Sequence, residues 1–351
     1  MDNATCCDRG STRPSGSVTL KRQKVDFMNK LLKVASRTAV ALSIATVFAD
    51  SVAAKDLTLG YVVASLKIPF NVATKKGFEE AAREAGVKTI VIDPEGSIPR
   101  QTAAIDELIA KGVDGIGFLP MDSVLAATYA DKSLAQKVPT VSVAVQVGDS
   151  TTRSLRDVYS SLSALVTTDD VAIGERAGEL ATGLLPKNRP VKIAIIEGAH
   201  GYSAVPQRTQ GFRAALDKAG VDYRIAGSQP TDWTPEQGAA ACQKFLSDNP
   251  DLDLIFSQAD PMAIGCAQAL RSSGSAVKLV ATGGGSLEGN EAIAKGDIDG
   301  SVCTRPELLG RLMLKVLYEA ATNPGAQKAQ LVTYDSALIT KETLQNCPPE
   351  W

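Results

Sequence analysis

The chain has 351 residues, 44% of them hydrophobic, which is enough for two ordinary domains with their own cores. A net charge of −2 and the lack of any basic run give no electrostatic reason to expect a nucleic acid partner. His200 is the single histidine, which excludes a multi-histidine metal site, and no pattern calls for a metal or other cofactor.

Residues 1–54 read as an N-terminal extension and signal peptide. Lys30, Lys33 and Arg37 make a basic segment after Met28, and Thr38–Ala49 is an apolar run too short to span a bilayer. Small residues through Ala54 then suit cleavage at that point. Residues 1–27 lack this character, so Met28 reads as the start of the signal. A short buried helix is the alternative. No cysteine follows the apolar run, so a lipid anchor is not expected, and the mature chain is expected outside the cytoplasm.

From Leu57 the pattern alternates strand and helix. Leu57–Val63 is a strand, Phe70–Ala85 a helix stopped by Gly86, Thr89–Ile92 a strand and Ile98–Ala110 a helix. Gly115–Leu119, Asp122–Ala135 and Thr140–Val143 follow as strand, helix and strand. Arg153–Ser163 is irregular. Leu165–Thr168 is a strand and Asp170–Leu185 a helix. After Pro186–Pro190 the pattern restarts: strands at Val191–Ile196, Tyr223–Ala226, Leu254–Phe256, Lys278–Ala281 and Asp299–Cys303, with helices from Pro206, Pro235, Pro261 and Leu287 between them. A helix from Pro306 to Ala321 and an extended Gln330–Ile339 complete the pattern. Such alternation implies parallel sheets covered by helices on both faces, with ligands held at the carboxyl edge of the strands.

Cys6 and Cys7 precede the cleavage point, leaving Cys242, Cys266, Cys303 and Cys347, an even number for an oxidising compartment. None forms a CxxC pair. Cys242 and Cys266 lie on successive crossover helices that can be neighbours on one sheet face. That favours Cys242–Cys266 and leaves Cys303–Cys347, with buried free thiols as the alternative.

Several short stretches recur in a telling order: Ile68-Pro69-Phe70, Gly201-Tyr202-Ser203-Ala204 with Gly211-Phe212, Ser228-Gln229-Pro230 with Asp232-Trp233, Gln258 to Ala263, and Thr333-Tyr334-Asp335. With the element order, they resemble the type I periplasmic binding proteins of the ribose-binding family over nearly the whole mature chain. The resemblance implies an α/β fold of two flavodoxin-like lobes joined by three hinge crossings, near Thr168, Thr304 and Tyr334. Lobe 1 would be 55–168 and 305–333, and lobe 2 would be 169–304 and 334–351. It implies a monomeric periplasmic receptor that delivers a small-molecule solute to an ABC permease and ATPase complex in the inner membrane.

The departures from that family are informative. Where its sugar-binding members place carboxylates, arginines, asparagines and a glutamine, this chain has Ile68, Ala144-Val145, Pro206, Ala259, Gly283-Gly284-Gly285 and Thr304. Phe70 and Trp233 keep the aromatic walls that the resemblance places against a ligand's apolar face. The cleft is therefore expected to be roomier and more apolar than a plain pyranose needs. The solute is then a modified sugar, or carries an aromatic or alkyl part. Ser65, Lys67, Asn71, Gln146, His200, Tyr202, Gln258, Asp260, Ser286 and Arg305 are the remaining polar candidates at strand ends.

Each candidate has a plainer reading. His200 suits an exposed loop, Phe70 and Trp233 suit a core, and Asp260 suits a helix N-cap before Pro261. Arg208 reads as a salt-bridged structural residue. Gly283–Gly285 lacks the lysine and serine or threonine of a phosphate loop. Lys75, Lys76, Glu79, Glu80, Arg83 and Glu84 make a solvated helix face. An exported hydrolase would need a nucleophile with a base, and no GxSxG occurs. A ligand-presenting sensor for a membrane receptor shares every feature of the transport reading. A transcription regulator of this fold would need a helix-turn-helix in place of the signal peptide.

Overall fold

The computed structural model describes residues 57–323 and 325–351, so the expected signal peptide and its cleavage point lie outside the described residues. The first part runs β1 (Thr58–Val62), α1 (Pro69–Ala85), β2 (Lys88–Ile92), α2 (Ile98–Ala110), β3 (Gly115–Phe118), α3 (Ala126–Ala135), β4 (Thr140–Val143) and β5 (Ala164–Val166). Next come α4 (Asp170–Leu184), β6 (Val191–Glu197), α5 (Ala204–Lys218), β7 (Tyr223–Pro230), α6 (Pro235–Asp248) and β8 (Leu254–Ser257). Then follow α7 (Asp260–Ser273), β9 (Lys278–Ala281), α8 (Leu287–Lys295) and β10 (Ser301–Val302). The last elements are α9 (Pro306–Thr322), β11 (Gln330–Val332), β12 (Leu338–Ile339) and a 3-10 turn at Leu344–Asn346.

Local chemistry sets the helix ends. Ser97, Asp169, Thr234 and Ser286 cap α2, α4, α6 and α8 through their side chains. Proline occupies the first turn of α1, α2, α6, α7 and α9, where its missing N–H costs nothing. α5 starts two residues before the expected Pro206, which still falls in the spare first turn.

Two parallel sheets result. The first has the order β11-β5-β4-β3-β1-β2 and the second β7-β6-β8-β9. Both orders are doubly wound, so their carboxyl edges form the ligand-holding crevices of such sheets. β3, β4, β5 and β8 are buried on both faces, which explains the apolar runs of β3, β5 and most of β8. One core lies on each face of each sheet. Those of the first are built around Phe78 with Met313 and around Ile105 with Phe118; those of the second around Met262 with Cys266 and around Phe212 with Phe256.

The chain passes between the sheets three times: from β5 to α4, from β10 to α9, and from β11 to β12. The α9 helix returns to the first sheet and packs on α1. Arg311 of α9 pairs with Glu80 at 2.6 Å and Glu84 at 3.0 Å, and Lys76 pairs with Glu307, so part of the charged α1 face is an interhelical seam. The extended run Gln330–Ile339 is divided between sheets: β11 joins β5, whereas β12 pairs antiparallel with β10. Cys242–Cys266 joins α6 to α7, and Cys303–Cys347 joins the end of β10 to the last segment, with Cα separations of 5.1 and 5.9 Å.

Candidate functional site

A cleft of about 680 Å³, part of it open to solvent, lies between the carboxyl edges of the two sheets. The first sheet contributes Ile68, Phe70 and Asn71 after β1, Leu119 after β3, and Ala144 with Val145 after β4. The second contributes Tyr202, Ala204 and Arg208 around the start of α5, Trp233 after β7, Ala259 and Pro261 beside β8, and Gly283 after β9. Thr304 and Trp351 complete the lining.

Two lining residues hold backbone conformations that side chains avoid. Ala144 sits at φ 63° within a three-residue turn closed by Val145 N–H donating to Val143 O at 2.8 Å. Trp233 sits at φ 70° and donates its N–H to Thr231 Oγ1 at 3.3 Å. Its indole lies against Gly198, where a Cβ would come within 1.8 Å of the ring. Such strain costs on the order of 1–3 kcal/mol per residue and clusters at functional sites.

The aromatic walls come in two edge-to-face pairs. Tyr202 and Trp233 lie 5.6 Å apart at 81°, and Phe70 and Trp351 lie 6.1 Å apart at 87°. The indole N–H groups of Trp233 and Trp351 are buried and have no partner within the protein. Trp351 was not predicted. It is held by the second-sheet side: its carbonyl accepts from Leu287 N at 2.7 Å, and Glu350 N donates to Gly285 O at 3.1 Å. The Glu350 carboxylate accepts from Arg305 Nε at 2.7 Å and from Glu307 N at 3.1 Å.

Behind this lining is a polar layer. Arg208, read from the sequence as salt-bridged with no partner named, donates Nε to Asp170 Oδ1 at 2.8 Å and Nη1 to Gln258 O at 2.5 Å, while its side chain also reaches the lining. Burial pushes the Asp170 carboxyl upward, and the guanidinium opposes that shift. Asp260 is fully buried and accepts from Ser286 Oγ at 2.9 Å and Ser301 Oγ at 3.0 Å. Desolvation pushes its pKa up to about 7, with the serine hydrogen bonds pulling the other way.

Of the predicted site residues, Phe70, Asn71, Tyr202 and Trp233 are in the lining. Gln258 faces inward, accepting from Gly198 N and donating to Val205 O and Thr209 Oγ1. Asp260 is the first residue of α7 rather than its cap, which is Ala259; its side chain turns to the serines instead. Ser286 caps α8, and Arg305 pairs with Glu350. Ser65 accepts from Lys67 N and, through its carbonyl, from Asn71 Nδ2. Lys67 and His200 are exposed and outside the lining.

Gln146 belongs to a seam where loops of the two sheets meet. Ser123 N donates to Gly201 O at 2.9 Å, and Ser203 N donates to Ser123 Oγ at 3.1 Å. Gln146 N donates to Ser203 Oγ at 3.0 Å, and Gln207 Nε2 donates to Gln146 Oε1 at 2.7 Å. All four side chains are buried, so the seam is one rim of the cleft.

The cleft can enclose and orient a small solute. Its lining offers Asn71, Thr304, Tyr202 and Arg208 as polar residues, with no nucleophile beside a base. Among the described residues, no helix is long and apolar enough to cross a membrane, and no cluster of metal-ligating side chains occurs.

Residues 59–326 match the periplasmic binding protein domain. The ribose import binding protein of Bacillus subtilis (strain 168) is 31% identical over 258 residues, covering 74% of this chain and 79% of the relative. The D-allose-binding periplasmic protein of Escherichia coli (strain K12) is 29% identical, covering 90% of this chain and 100% of the relative. A solved structure from Mycobacterium smegmatis in complex with beta-D-fucofuranose superposes with a TM-score of 0.74 at 25% identity, covering 83% of this chain and 93% of that one. The Caulobacter myo-inositol binding protein superposes with a TM-score of 0.75 at 23% identity, covering 84% and 96%, a likeness of fold.

Proposed function

The chain belongs to the periplasmic binding protein domain family, whose members are solute receptors of ABC importers and not enzymes, and from that premise we propose how its own cleft works. It is the solute-binding component of such an importer. The proposed lobes are 55–168 with 305–333 and 169–304 with 334–351, closing on the solute and presenting the closed form to an inner-membrane permease and ATPase complex. Export follows from the basic and apolar segment at 28–54, with cleavage after Ala54. The receptor acts as a monomer.

The solute is sugar-like with an apolar part: a deoxy, O-alkyl or aryl sugar derivative rather than plain ribose. One observation carries this reading. The positions Ile68, Ala144, Val145, Ala259 and Gly283 all line the cleft, and none offers a side chain that can hydrogen-bond a hydroxyl. A hydroxyl withdrawn from water without a partner costs on the order of 1–3 kcal/mol, so each extra unmatched hydroxyl weakens binding about tenfold. Phe70, Tyr202, Trp233 and Trp351 instead favour an apolar face.

Thermal-shift and calorimetric titrations with D-ribose, D-allose, xylitol and myo-inositol, set against deoxy and O-substituted sugars, test it. The substituted sugars are expected to raise the melting temperature most. Sub-micromolar binding of D-ribose overturns the reading.

A further inference from the structure

The segment leading to Trp351 is fixed to the second-sheet side at several points, yet it reaches across to the first. Cys347 is bonded to Cys303, Asn290 Nδ2 donates to Cys347 O at 2.9 Å and Leu287 N donates to Trp351 O at 2.7 Å, while Glu350 reaches Arg305 and Glu307 N at the start of α9. The indole at its end then meets the edge of Phe70, which belongs to α1. This joins the two sides of the cleft at Phe70.

A purely structural tryptophan would be expected to satisfy its indole N–H, because buried indoles nearly always find a partner. Trp351 Nε1 has none, and neither has Trp233 Nε1. Both residues line the cleft. Trp351 and Trp233, with Phe70 and Tyr202 in edge-to-face contact with them, line the cleft with aromatic surface suited to a flat apolar group.

We propose that Trp351, positioned by the Cys303–Cys347 bond, is a specificity-determining wall that selects solutes carrying an aryl or alkyl substituent. This assignment rests on the apolar reading of the cleft given above. It adds that the selection comes from a segment outside the strand-end loops that supply most of the lining.

Calorimetric titration of the chain with D-ribose and with phenyl β-D-ribofuranoside tests it. The wild-type chain is expected to prefer the phenyl glycoside. Trp351→Ala is expected to lose about tenfold in affinity for that probe, with Trp351→Phe retaining most of it. A wild-type chain that prefers D-ribose, or binds neither probe, overturns the reading of the cleft and the assignment with it. A wild-type preference that survives Trp351→Ala overturns the assignment alone. A second measurement does not depend on the Trp351→Ala variant folding. The chain has two tryptophans, so Trp233→Phe leaves Trp351 as the sole reporter. Saturating phenyl glycoside is expected to shield it from acrylamide quenching, and unchanged quenching at saturation overturns the proposal.

Discussion

The two rims of the cleft are built on different physics. The polar rim is a set of directional hydrogen bonds, Ser123 to Gly201, Ser203 to Ser123, Gln146 to Ser203 and Gln207 to Gln146, with no covalent link. The aromatic rim is the edge contact of Phe70 with Trp351 together with the Glu350 carboxylate on Arg305 and Glu307 N, and its Trp351 segment is tethered to the second-sheet side by a disulfide. Opening the polar rim exchanges each bond for one to water, so its net worth is about 0.5–1.5 kcal/mol per bond. Opening the aromatic rim leaves Trp351 with the second sheet. The polar rim therefore suits reversible closure, and the aromatic rim suits selection of what is enclosed.

The two disulfides give the largest test of that contrast. Closing loops of 44 and 24 residues stabilises by about 4 and about 3.5 kcal/mol respectively in the chain-entropy picture. Cys303→Ser with Cys347→Ser, and Cys242→Ser with Cys266→Ser, are thus expected to cost similar stability in denaturant titrations. Only the first pair should raise the acrylamide accessibility of Trp351 and weaken binding of the phenyl glycoside. If both pairs behave alike in the cleft, the tether has no special role.

Asp260 sharpens the same comparison from behind the aromatic rim. It holds Ser286, whose neighbour Leu287 donates to the Trp351 carbonyl. Its folded-state pKa of about 7 exceeds the ordinary carboxylate value of 3.8. Between those two pH values the folded chain binds the proton and the unfolded chain does not. The contribution from this group is therefore full below about pH 4 and falls as pH rises to about 7, by at most about 4 kcal/mol. Asp260→Asn should remove that slope from a pH series of denaturation curves. An unchanged slope would place the titration on other groups.

The sequence made the fold legible because two parallel sheets need long, regular alternations of apolar strand and amphipathic helix, and the Cys242–Cys266 pairing followed from adjoining helices, which left Cys303–Cys347. The cleft was legible as absences: Ile68, Ala144, Val145, Ala259, Gly283 and Thr304, noted as replacements for polar clamps, all line it. The polar candidates were harder because a strand-end position gives proximity to the cleft and not side-chain direction. Gln146, Gln258, Asp260 and Ser286 are turned into mutual hydrogen bonds, as buried polar groups must be. Trp351 lay beyond any strand end. The available signal was Cys347: joined to Cys303 at the edge of β10, it puts the following four residues within about 14 Å of the cleft.

The smallest expected effect concerns the polar rim alone. Ser203 Oγ accepts the Gln146 N–H, and both residues are buried. Ser203→Ala leaves that N–H without its acceptor only while the rim is shut, because water satisfies it when the lobes part. The penalty of about 1 kcal/mol falls on the closed form and shifts the open-to-closed ratio about fivefold. Small-angle scattering of the ligand-free variant should report a larger radius of gyration than the wild type, and saturating solute should restore the compact value. Trp351 quenching should not change in the closed complex, since its tether is untouched. A ligand-free scattering profile identical to the wild type would mean that these hydrogen bonds do not set the closure equilibrium, and the division of labour between the rims would fail.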